Sequence, residues 1–114
     1  MQVRSVLITI AAGGALASCS STPPCEDEIV AFVMAQDFIK RQLRAPSTAD
    51  FPMIIADGVS SKPTTLADGR CAFDVRTYVD AQNAFGGTVR ENFRVTLAPD
   101  DSGTSWSLIE IAAY

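Results

Sequence analysis

No histidine occurs among the 114 residues of this chain. That absence removes the usual general base, the commonest metal ligand and the side chain that titrates near neutrality. Basic residues are also scarce, nine against thirteen acidic ones, for a formal net charge of −4. A nucleic-acid partner demands a surplus of Lys and Arg to displace counterions from phosphate, so that class is set aside. Cysteine is limited to three residues, and no group of cysteines has the spacing of a metal site. There is no Ser–His pair and no free Cys beside a base. Asp74 and Asp80 share one side of a strand and could form a carboxylate pair. Nearby arginines would keep both ionised, a poor state for a general acid. The expectation is a non-enzymatic protein without a metal or cofactor. A long apolar run is missing too. The stretch at residues 5–18 has 14 positions, whereas a bilayer-spanning helix needs roughly 20.

What is present begins with a leader. Arg4 precedes the apolar stretch, and small residues precede Cys19, the layout of a secretory signal. Leu16-Ala17-Ser18-Cys19 resembles the processing box of bacterial lipoproteins. That resemblance implies a diacylglycerol on the Cys19 thiol, cleavage before it and acylation of its new amine. More than one acyl chain is needed for a stable membrane anchor. The plainer alternative is an ordinary signal peptide followed by an incidental Cys. Ser20, where an Asp would favour inner-membrane retention in enterobacterial lipoproteins, points to the outer membrane, with the domain facing the periplasm. Without residues 1–18 the chain has 96 residues, eight basic and thirteen acidic, for a net charge of −5.

Residues 19–25 carry Ser, Thr and Pro and read as a semi-extended tether. With Cys19 acylated, Cys25 and Cys71 remain, and in an oxidising compartment two such cysteines join. The bond would close a loop of about 45 residues, worth up to roughly 4 kcal/mol by loss of unfolded-state entropy. The alternative is a buried thiol on Cys71 beside a free Cys25.

Residues 26–114 read as one α+β domain. A helix is expected over 26–44, with Phe32, Ala35, Ile39 and Leu43 at three- and four-residue steps and Ala31 and Phe38 widening the stripe. Glu26, Asp27 and Glu28 suit its first turn, and Lys40, Arg41 and Arg44 its last. Val30 and Val33 stray onto the polar side, which suggests cover there. Pro46 marks the stop. Residues 51–56 form a short apolar run ending at Asp57-Gly58 and read as an edge strand, because Pro52 cannot donate to a ladder. Residues 59–68 read as loop, with room for one short strand. Cys71, Phe73, Val75, Thr77 and Val79 alternate with Asp74, Arg76, Tyr78 and Asp80. Val89, Phe93, Val95 and Leu97 alternate with Arg90, Asn92, Arg94 and Thr96. Asp100 to Gly103 form a hairpin turn. A last strand over 104–111 alternates less cleanly, which suits burial on both faces or a bulge. The sum is one amphipathic helix packed on three or four antiparallel strands, cystatin-like or NTF2-like in outline, a likeness that carries no function.

Chemistry concentrates between the two long strands. Gln82, Asn83 and Phe85 lie in a glycine-containing loop, and Arg76, Tyr78, Asp80, Arg90, Asn92 and Arg94 could line the polar sheet face beside it. An arginine-bearing face under a mobile loop could bind an anion or a partner. The bland reading is cross-strand Asp–Arg pairing on a solvated face. Trp106 and Phe93 read as core.

Two segments, 38–52 (FIKRQLRAPSTADFP) and 78–87 (YVDAQNAFGG) with Arg90-Glu91-Asn92-Phe93, are similar to an uncharacterised family of small bacterial and phage-associated domains. That resemblance covers most of residues 28–111 and implies a fold and an envelope setting, not an activity. The Pro46-Ser47-Thr48 part is explicable as helix stop and turn. The expected role is a membrane-anchored envelope lipoprotein that docks an envelope protein or peptidoglycan. Alternatives are a small anionic-ligand binder, an inhibitor of an envelope hydrolase, or a phage-exclusion lipoprotein.

Overall fold

The computed structural model describes residues 23–114. The expected signal sequence, Cys19 and the tether up to residue 22 lie outside the described residues. Along the chain come a 3-10 turn Pro24–Glu26, helix α1 (Glu28–Lys40), a second 3-10 turn Pro46–Thr48, and strands β1 (Ser60–Thr65), β2 (Cys71–Gln82), β3 (Thr88–Pro99) and β4 (Trp106–Ala113). The strands form one antiparallel sheet in the order β1-β2-β3-β4. The α+β architecture read from the sequence is the one observed, with four strands and one helix.

The helix is shorter than its apolar spacing suggests. Pro23 and Pro24 stand at its entry, and their fixed φ sets the 3-10 turn rather than an α-helical first turn. Asp27 is the N-cap, its Oδ1 accepting from the Val30 N–H at 3.1 Å. At the other end the Gln42 N–H donates to the Ile39 carbonyl and that of Leu43 to Lys40, closing the helix in tight turns. The buried stripe is Ala31, Phe32, Ala35, Phe38 and Ile39, and Leu43 still packs against the core from beyond the helix. The cover expected over Val30 and Val33 is not seen among the described residues: both stay exposed, as does Ile29.

The helix stripe meets the alternating faces of β2 and β3. Phe73, Val75 and Val79 from β2 and Phe93, Val95 and Leu97 from β3 complete the core. Trp106 packs half-buried on Phe73, ring centroids 5.8 Å apart. Phe93 and Trp106 thus serve the core as expected. Ser61 on β1 is buried, and its hydroxyl donates to the Glu28 carbonyl at 2.8 Å. That bond satisfies the buried hydroxyl and fastens the edge strand to the start of the helix.

Residues 51–56 do not form the expected strand. Asp50 exchanges two backbone hydrogen bonds with Asp80, at 2.8 and 3.0 Å. The pairing stops there because Pro52 has no N–H to continue it. The chain then turns, the Ala56 N–H donating to Met53 and the Val59 N–H to Ala56. Ile54 reaches the core while Met53 and Ile55 remain exposed. The strand lies instead at Ser60–Thr65, within the segment read as loop with room for one. Its Pro63 and polar composition are tolerated because it is an edge. β4 carries the expected bulge: the β3–β4 register shifts between Thr96 and Leu97, and Ile109 is the extra residue. It is not buried on both faces, since Leu108 and Ile109 are 37% and 42% exposed.

Candidate functional site

β2 and β3 place the expected binding residues on the polar face of the sheet, opposite α1. Their register sets Asp80 against Arg90, Tyr78 against Asn92 and Arg76 against Arg94. Arg90 takes Asp80 in a two-point grip, Nε to Oδ1 at 2.7 Å and Nη2 to Oδ2 at 2.9 Å. Such paired charge-assisted bonds fix direction as well as distance. The Arg90 guanidinium also lies over the Tyr78 ring, 4.0 Å from the centroid. Arg94 faces a like charge in Arg76 and turns diagonally to Asp74, with contacts of 3.1 and 3.2 Å. The Arg90 hydrogen bonds hold the Asp80 carboxyl below its ordinary range, and Asp80 in turn raises Arg90. Asp74 raises Arg94 in the same way.

This arrangement decides two questions. Asp74 and Asp80 stand six residues apart on one strand, about 20 Å at the usual rise, and each has its own arginine, so they form no carboxylate pair. Arg90 and Arg94 are already engaged, which leaves them poor receivers for a free anion. Arg76 alone of the three arginines forms no ion pair among the described residues. It lines a shallow cleft of about 510 Å³ with Lys62, Asp74, Ser60 and Tyr114.

The loop beyond these strands is ordered by one side chain. Asn83 Oδ1 accepts from the Phe85 N–H at 2.9 Å and the Gly87 N–H at 3.0 Å. Its backbone N–H donates to the Gly87 carbonyl, and the Gly86 N–H donates back to the Asn83 carbonyl. Gly86 supplies the left-handed φ of 83° that the turn requires. The loop expected to be mobile is therefore pinned, an Asx-type turn replacing backbone partners. Phe85 stands at its tip, 94% exposed. Every residue from Ala81 to Val89 is uncharged, in a chain of net negative charge.

Two residues outside the expected site support it. Thr48 takes the Gln82 N–H on its hydroxyl at 2.9 Å while donating to the Ala45 carbonyl. Asp50 holds the Asp80 backbone from the side. The Pro46–Thr48 segment is thus a turn that braces the end of β2, in keeping with its reading as structure. Only a polar side chain next to a helix stop hints at that brace in the sequence.

Compared with family models, curated proteins and solved structures, the chain finds no match. Its function is accordingly read from its own geometry.

At the opposite end of the sheet the entering chain is fixed. Cys25 and Cys71 form a disulfide, Cα atoms 5.9 Å apart. Pro24 packs against Gly103 of the β3–β4 hairpin, where an added Cβ would come within 2.8 Å of the proline ring. Cys25 therefore belongs to the folded body rather than to a loose tether. β2 runs from Cys71 to Gln82, so chain entry and the Phe85 loop are separated by about 36 Å along the strand. Among the described residues no helix is long and apolar enough to cross a membrane.

Proposed function

We propose that this chain is a lipid-anchored lipoprotein of the bacterial envelope, processed at Cys19, whose domain docks an envelope protein without catalysis. The observation that carries the reading is the polarity of the domain. The disulfide fastens the N-terminal end of the body to the start of β2, and the pinned, uncharged Phe85 loop occupies the far end of the same strand. A disulfide of this kind fits an oxidising compartment, which agrees with export through the leader. An exposed aromatic residue held by a pre-ordered loop is the sort of group that anchors protein contacts, since little conformational freedom is lost on docking. The face of β2 and β3, whose Arg90 and Arg94 are already engaged by Asp80 and Asp74, suits a docking surface better than an anion pocket. Ser20, in place of an Asp after Cys19, supports outer-membrane attachment with the domain in the periplasm.

Two measurements test it. Mass spectrometry of the mature protein should find an acylated Cys19 at the N-terminus, and Cys19→Ala should move the protein to the soluble fraction. Partner recovery from solubilised membranes should fall for Phe85→Ser and stay unchanged for Thr64→Ser on the remote edge. An unmodified N-terminus elsewhere overturns the anchoring, and equal recovery overturns the loop as the docking point.

A second reading, small-anion binding, is favoured by one observation, the pairing of Arg76 with Lys62 around a single cleft. Phosphate titration followed by NMR should then shift Arg76 and Lys62 signals together.

A further inference from the structure

The outer face of helix α1 is divided along its length. Ile29 and Val33, one turn apart, stand 64% and 50% exposed, and Val30 beside them is open to solvent too. Over the following turns the same face carries Gln36, Asp37 and Lys40. The buried stripe of Ala31, Phe32, Ala35, Phe38 and Ile39 lies on the opposite side, so Ile29 and Val33 take no part in the core. Beyond Val30 the apolar surface continues across a shallow cleft of about 280 Å³ to Pro23, Pro24 and the half-buried Trp106. The exposed aliphatic residues of the helix are thus gathered on the half nearest the chain's entry, rimmed by Glu26 and Glu28.

What meets this patch is limited by the length of chain before it. Pro23 is four residues after Cys19, a span of at most about 14 Å. Cys25, two residues further, is bonded to Cys71, so the entry corner moves with the whole body. With acyl chains on Cys19, the patch is kept beside the headgroups. Contact with the bilayer is then intramolecular, and a few aliphatic side chains too weak to recruit a free protein suffice to orient a tethered one. Glu26, Asp27 and Glu28 flank the patch, and no basic residue occurs between positions 20 and 39. That charge suits zwitterionic headgroups rather than anionic lipid, which draws basic segments.

We propose that the Ile29–Val33 face of α1 rests on a zwitterionic phospholipid surface, laying the helix layer of the domain against its own membrane. Lipidation at Cys19, the reading proposed for the chain, is what holds this face to the surface. The polar face of the sheet lies on the other side of the molecule from α1. It therefore turns away from the bilayer, with Arg76, Arg90 and Arg94 presented to the aqueous side from which a protein partner approaches.

The experiment places the processed, acylated protein in phosphatidylcholine nanodiscs doped with a nitroxide-headgroup lipid and reads methyl line broadening by NMR. Ala67 is the control, an exposed residue between β1 and β2 at the Cys71 end of the sheet, in the sheet layer rather than on α1. The Ile29 and Val33 methyls should broaden several-fold more than that of Ala67. Ile29→Ser combined with Val33→Ser should bring Val30 down to the Ala67 level. The core Val75 and Val95 shifts should stay unchanged, because neither substituted side chain is buried. Protein that does not remain with the nanodisc overturns lipid anchoring and the resting face with it. Protein that remains, with equal broadening at Ile29 and Ala67, leaves the anchor intact and overturns the resting face alone. So does a double variant whose Val30 is broadened as much as in the wild type.

Discussion

At position 103 there is no room for a side chain. Gly103 has φ 77°, and a Cβ there would sit 2.8 Å from Cγ and 3.3 Å from Cβ of Pro24. A proline ring cannot swing aside, so the clash falls on the contact between the chain's entry and the β3–β4 hairpin. Gly103→Ala should destabilise the domain by about 1–2 kcal/mol, from the left-handed φ and the overlap together. Chemical denaturation measures this, and an unchanged midpoint would remove Pro24 from the hairpin. Asn83 is the converse case, a side chain that supplies what the backbone lacks. Asn83→Ala leaves the Phe85 and Gly87 N–H groups without their acceptor and should cost about 1 kcal/mol. Amide exchange should quicken at those two positions and not in the middle of β2. Equal quickening throughout β2 would mean that Asn83 supports the sheet rather than the loop.

The β2–β3 pair links its charges to pH. Asp80 titrates below its ordinary value because Arg90 hydrogen-bonds it, and Asp100 does so because Ser102 and neighbouring backbone N–H groups bond it. A carboxylate with a lowered folded pKa binds its proton more weakly in the native state than in the unfolded chain. Its stabilisation is complete above the unfolded value of about 3.9 and is lost as pH falls through the lower folded value. Stability should therefore drop on acidification below about pH 4. Asp80→Asn should flatten that drop, as read from denaturation midpoints across an acid series. An unchanged acid slope would show that the Arg90 pair does not persist in solution. These strands are also the most legible elements. A two-residue alternation in residues 71–79 and 93–97 specifies which side chains face the helix, whereas Glu91 breaks the apolar phase of β3 and Val89 before it stays exposed. β1 is obscured because Pro63, Lys62 and the hydroxyl residues around them give an edge strand no apolar period. Residues 51–56 mislead for the opposite reason: they are apolar because Ile54 enters the core, while Pro52 prevents a ladder. The alternation also sets the arginines on one face, as observed. Arg90 meets Asp80 directly across the two strands, the cross-strand pairing that the sequence offered, whereas Arg94 reaches Asp74 along a diagonal that spacing alone does not specify.

Across the whole molecule, one covalent bond relates the chain's entry to the sheet. The Cys25–Cys71 disulfide spans 46 positions, so removing it restores much unfolded-state freedom. A Cys25→Ser, Cys71→Ser double variant should lose about 2–4 kcal/mol. The core is formed by α1, β2 and β3 without the sulfurs, so its circular dichroism at low temperature should remain native. Local effects should concentrate where the bond acts. Exchange should rise at the Glu26 and Asp27 amides, which donate to Pro23 and Pro24 in the entry turn, and at Val30, which Asp27 caps. The Phe85 and Gly87 amides, at the far end of β2, should be unaffected. Uniform loss of protection at both ends would show that the entry turn and the sheet unfold as one unit, and the domain would then have no separately fixed N-terminal end.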